Sequence, residues 1–120
     1  MSIFVWLIIL TIMVFAIIII GGLTRLTNSG LSMVNWRPIL GTFPPLTTQE
    51  WSNVFDLYKQ TPEYININKN ISIEEFQYIF WWEWGHRFIA RFVGVVFFFP
   101  FLYFIIKKKI KFFLIKRLII

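Results

Sequence analysis

The chain has 120 residues, of which 58% are hydrophobic and 21% aromatic, with a formal charge of +6 and no cysteine. Soluble domains are far less apolar, so a membrane chain is expected, too short to bury a large core of its own and dependent on lipid or further helices. The missing thiols exclude disulfides, cysteine-ligated iron–sulfur clusters and a cysteine nucleophile within this chain, and the gathering of basic residues at one end speaks against a nucleic-acid face.

Residues 3–23 are an almost unbroken apolar run with Thr11 as the main polar interruption. This is long enough for a first helix to cross a hydrocarbon core of about 30 Å. A secretory signal is the alternative, but no lysine or arginine precedes the run and Gly21-Gly22-Leu23-Thr24-Arg25 is a poor cleavage site.

Residues 24–83 read as an extracytoplasmic loop that is partly helical. Turn formers at Asn28-Ser29-Gly30, Arg37-Pro38, Gly41 and Pro44-Pro45 make its first part irregular. Thr47-Thr48-Gln49-Glu50 matches a capping box, and Trp51, Val54, Phe55 and Tyr58 then recur on one face of a short helix ending before Pro62, a face suited to packing or to the membrane surface. A second box, Ser72-Ile73-Glu74-Glu75, starts a helix that carries Phe76, Ile79 and Phe80 toward the bilayer.

Residues 84–106 form a second run of spanning length, with a bend expected at Gly85 and a kink at Pro100. Residues 107–120 are a basic segment containing Lys107, Lys108, Lys109, Lys111, Lys116 and Arg117, whereas every acidic residue lies between the two apolar runs. The positive-inside rule therefore puts the tail and the N-terminus on the cytoplasmic or matrix side of a multi-pass membrane protein. The apolar pattern from Ile110 onward fits either an interfacial helix or the start of a third spanning helix. The fold class expected is an all-α membrane protein.

The chemistry concentrates in Glu83-Trp84-Gly85-His86-Arg87, with Arg91 four residues on, and His86 is the chain's single histidine. On a helix, Glu83, His86 and Arg87 share roughly one side, and Ala90 and Gly94 continue from His86 as a strip of small residues where a flat macrocycle or another helix can approach. Arg87 and Arg91 form a cationic ridge suited to porphyrin propionates, because guanidinium pairs carboxylates in a forked geometry. Residue types alone fit equally an aromatic and basic anchor at the membrane surface, and they leave that alternative open.

The run from Gly21 through Thr24-Arg25-Leu26-Thr27-Asn28-Ser29-Gly30 to Met33, then Trp36, Pro38, Gly41, Pro44-Pro45-Leu46, Pro62-Glu63-Tyr64 and Glu83-Trp84-Gly85-His86-Arg87, resembles the start of the haem A synthase family, in its cysteine-free branch. The resemblance implies oxidation of the C8 methyl of haem O to the formyl of haem A, for cytochrome c oxidase. It implies two similar four-helix bundles, of which this chain supplies half of the first, with haem O as substrate there and haem b in the second. By that match His86 is an axial ligand of the haem iron, Glu83 the catalytic acid, and Arg87 and Arg91 candidates for the propionates; Ala90 stands where the family usually has glycine.

The histidine that pairs with His86 in the family lies on a fourth helix beyond these residues, so the isolated chain is expected to be inactive. Expected partners are lipid, the remaining helices of the synthase, haem O synthase and cytochrome c oxidase assembly proteins, in a bacterial or mitochondrial inner membrane, with no nucleic acid. The rival from another class is a non-catalytic membrane haem-binding or assembly subunit that uses His86.

Overall fold

A computed structural model describes residues 2–35 and 42–109. The described residues are helical with no strand, in four elements: α1 (Ile3–Leu26), α2 (Thr48–Tyr58), α3 (Pro62–Asn66) and α4 (Ile73–Ile106). Trp36, Pro38 and Gly41 of the family-like motif, and the proposed third helix, lie outside the described residues.

The two long helices, of 24 and 34 residues, are both long and apolar enough to cross a membrane. They pack along one another as the frame of the molecule. α1 is apolar on all sides, as a helix in lipid is, with Phe4, Ile12, Phe15 and Ile18 on its exposed faces. Its two threonine hydroxyls are absorbed by its own backbone: Thr11 Oγ1 donates to the Leu7 carbonyl at 2.8 Å and Thr24 Oγ1 to that of Ile20 at 2.8 Å.

At 1.5 Å per residue α4 is about 51 Å long, some 20 Å more than a hydrocarbon core needs. The surplus gives the connecting segment a wall to fold on. Both expected capping boxes form, Thr47 with Glu50 and Ser72 with Glu75. Backbone amides at Leu46 and Thr47 donate to the Glu50 carboxylate and hold its pKa below the ordinary range.

The aromatic face of α2 packs on the start of α4, where Phe55, Tyr58, Phe76, Ile79 and Phe80 are buried together with Trp51 and Val54 at their edge. Phe55 stacks on Phe76 at 5.0 Å between ring centroids, and Trp51 meets Phe80 edge-on at 5.0 Å. The stripe is thus a packing face. α3 is an element the sequence does not announce: Thr61 caps it and Pro62 sits in its first turn.

α4 runs through Gly85, where a bend was expected, without interruption of the helix. Nothing lies within 4 Å of a Cβ placed on Gly85, so no neighbour forces the helix to break. Pro100 also sits inside the helix. Proline has no N–H for the carbonyl four residues back, which leaves Val96 O unserved, and the Trp6 indole of α1 donates to it at 2.8 Å. Trp6 is buried there against Phe101 and Phe104.

Candidate functional site

α1 ends in a Schellman turn. Asn28 adopts φ 51°, Asn28 N–H donates to Arg25 O at 3.2 Å, and Ser29 N–H donates to Thr24 O at 2.9 Å. Asparagine tolerates this left-handed conformation better than most side chains. The turn redirects the chain across α4, so that Ser29 and Ser32 become fully buried.

There they meet Glu83, which is 2% exposed. Its Oε2 accepts from Ser32 Oγ at 2.7 Å and from the Met33 amide at 2.9 Å, and its Oε1 accepts from Arg87. Three donors, one of them a guanidinium, satisfy a buried carboxylate that would otherwise be costly. Glu83 therefore fixes the exit of α1 onto α4 and orients Arg87. A second tie closes the same region, because Asn68 Nδ2 donates to Tyr58 Oη at 2.8 Å and to the Asn28 carbonyl at 3.4 Å.

Below this hub lies an open cleft of about 560 Å³. Gly21, Thr24 and Arg25 of α1, Asn28 and Gly30 of the turn, Glu63 of α3, and Glu83, His86 and Arg87 of α4 line it. His86 is half-buried. Its Nε2 lies against Gly21, where an added Cβ would stand 3.0 Å away, so the glycine lets the imidazole pack closely on α1.

Of the residues singled out from sequence, the fold brings Glu83, His86 and Arg87 together in this cleft. Arg91 lies one turn further along α4 and is not part of the lining. The strip continuing from His86 is open: Ala90 and Gly94 are exposed. Two charged residues of the cleft were not singled out as site residues, Arg25 and Glu63. Arg25 sits four residues after Gly21, on the same helical face, a spacing that could have found it. Glu63 stands in the quoted Pro62-Glu63-Tyr64, but no local pattern ties α3 to His86.

Glu63 is 7% exposed, its Oε2 has no hydrogen-bond partner, and burial together with the nearby Glu83 carboxylate pushes its pKa above the usual carboxyl range. Among the described residues no three histidine, cysteine or acidic side chains converge as a metal cage. A lone imidazole in a glycine-lined cleft with two guanidiniums instead fits a metal that brings most of its own ligands in a planar, carboxylate-bearing ring.

The family model described as cytochrome oxidase assembly protein, COX15-CtaA, matches residues 4–120. Among curated relatives, the haem A synthase of Parvibaculum lavamentivorans is 47% identical over 114 residues, covering 95% of this chain and 33% of the relative. That of Nitrosospira multiformis is 50% identical over 106 residues, 88% of this chain and 30% of the relative. That of Flavobacterium johnsoniae is 47% identical over 121 residues, 99% and 36%. The chain thus spans about a third of the length of these relatives. No solved structure matches it.

Proposed function

The chain belongs to the cytochrome oxidase assembly protein family, and from that premise we propose that it carries the His86 site of a haem A synthase. The substrate on this reading is haem O, whose C8 methyl becomes the formyl of haem A. The observation that carries the proposal is the placing of His86, Glu83 and Arg87 around one cleft whose α1 wall is a glycine. The name shared by the relatives favours this reading over a non-catalytic haem-binding subunit.

The haem supplies the redox-active iron and the macrocycle that carries the methyl group. His86 would be the residue of this chain that holds the haem iron, its imidazole seated against Gly21 of α1. Arg87, which keeps one N–H on Glu83, has further N–H groups that would pair with a propionate. For the second cation the cleft favours Arg25 over Arg91, since Arg25 lines it and Arg91 does not. Glu83 serves the site through what it holds: it orients Arg87, pins the 32–33 segment, and places a negative charge close to the imidazole.

The second histidine, the haem b site and the rest of the first four-helix bundle belong to the further helices of such a synthase, which are its nearest partners. Haem O synthase and cytochrome c oxidase assembly proteins are its functional partners, and the bacterial or mitochondrial inner membrane its location. The exposed apolar faces of α1 and α4 suit lipid and those helices. Substitution His86→Ala in the full-length protein is expected to abolish haem A formation, measured by chromatography of extracted haems, with protein still present in the membrane. An unchanged haem A yield would overturn the assignment.

A further inference from the structure

The two oxygens of the buried Glu83 carboxylate are used differently. Oε2 accepts from Ser32 Oγ at 2.7 Å and from the Met33 amide at 2.9 Å, while Oε1 accepts from Arg87 Nη2 in the one bond that joins those two side chains. Guanidinium and carboxylate frequently pair through two parallel N–H···O bonds, one to each oxygen. Here the pair stays single, because residues 32–33 occupy the second oxygen.

Ser32 is fully buried, and its hydroxyl has a single proton to give. Glu83 Oε2 is its nearest acceptor, ahead of the Ser29 carbonyl at 3.2 Å and the Ile79 carbonyl at 3.4 Å. The turn behind it is tied as well: Ser29 is fully buried, its Oγ lies 2.6 Å from Thr27 Oγ1, and its N–H closes onto Thr24 O. Ser32 thus joins the turn on one wall of the cleft to the carboxylate on the other. The consequence falls on Arg87, which lines the cleft with five N–H donors in a rigid plane and spends one of them on Oε1. A two-bond pair with Glu83 would take a second N–H and turn the fork toward the carboxylate, away from the cleft.

We propose that Ser32 is a positioning residue for ligand recognition: by holding Glu83 Oε2 it keeps the Glu83–Arg87 pair to a single bond and leaves the Arg87 fork free for a carboxylate of the bound tetrapyrrole. This rests on the haem reading above and adds to it a residue outside the cleft lining that sets how strongly the ligand's carboxylates are recognised. Ser32 acts only through Glu83 and Arg87. Without its hydroxyl, Oε2 keeps the Met33 amide alone and becomes open to a second N–H of Arg87.

The test compares binding of haem and of its dimethyl ester, which lacks the carboxylates, to the full-length protein in detergent. It is followed by Soret absorbance and read as the part of the signal that His86→Ala loses, so that haem held elsewhere cancels. Wild type is expected to prefer haem over the diester, and Arg87→Gln to lose about ten-fold of that preference, the size expected for a lost hydrogen bond to a charged group. Ser32→Ala is expected to lose about three-fold, a part of the same effect, and to bind the diester as wild type does. Ser32→Cys fills the same space with a weaker donor and should fall between wild type and Ser32→Ala. In an Arg87→Gln background Ser32→Ala should cause no further loss, because both changes act on one contact. An unchanged preference in Ser32→Ala, an equal loss for haem and diester, or a full Ser32→Ala effect in the Arg87→Gln background would overturn the proposal. Should Ser32→Ala fail to fold, a wild-type preference in Ser32→Cys overturns it instead. A preference that depends on Arg87 but not on Ser32 sinks this inference alone; no His86-dependent haem binding by wild type sinks the haem reading with it.

Discussion

At the loop-side end of the α1–α4 pair, a carboxylate gathers a hydroxyl and an amide from residues 32–33 and a guanidinium from its own helix. At the opposite end, a single indole N–H fills the carbonyl that Pro100 leaves open, within an apolar contact centred on Trp6, Phe97, Phe101 and Phe104. The first junction is directional and places charged groups at defined positions; the second fixes how the helices meet without placing any chemistry. Polar ties cost desolvation, so they are concentrated where a site needs geometry, and the remaining contact is left to packing.

Breaking the polar junction should have the largest effect. Glu83→Ala leaves Arg87 without its carboxylate and removes the acceptor for Ser32 and Met33, and loss of about 3 kcal/mol of stability is expected, as for one partner of a buried ion pair. Chemical unfolding in detergent would measure it, and a loss below about 1 kcal/mol, the range of a surface pair, would mean the junction does not hold the fold.

The apolar junction should respond less. Trp6→Phe keeps the ring but strands the Val96 carbonyl, at about 1 kcal/mol. Pro100→Ala restores a backbone donor to that carbonyl, so the Trp6→Phe penalty should shrink in its presence. A double-mutant cycle with no coupling would show that the indole bond does not compensate the proline.

Smallest is the change at Gly21, which lies between the junctions. Gly21→Ala puts a methyl group 3.0 Å from His86 Nε2, so the imidazole has to shift by a few tenths of an ångström. Little change in stability is expected, with a measurable shift in the spectrum of bound haem. An unshifted spectrum would show that the iron-ligating orientation of His86 does not depend on this wall.

Much of this was legible locally. The capping boxes at Thr47 and Ser72, the packing face of Trp51, Val54, Phe55 and Tyr58, and the shared side of Glu83, His86 and Arg87 all follow from spacings of three or four residues on a helix. Gly85 sits within one continuous helix, because glycine permits a change of course without requiring an interruption. Pro100 lies inside the helix, and its consequence, the bond from Trp6 to Val96 across 90 positions of sequence, has no local signature.

The sequence by itself determined the two helices long and apolar enough to cross a membrane, the gathering of basic residues after the second, and the identity of the imidazole, since these depend on composition, length and periodicity. Tertiary structure alone decided that Glu83 is a hub bonded to residues 32 and 33, that Gly21 faces His86, and that Glu63 and Arg25 enter the same cleft. The physical reason is the left-handed turn at Asn28 and the fold-back of α2 and α3 onto the projecting part of α4. Those bring together side chains far apart in the chain, and the charges and burial that govern them exist only once they meet.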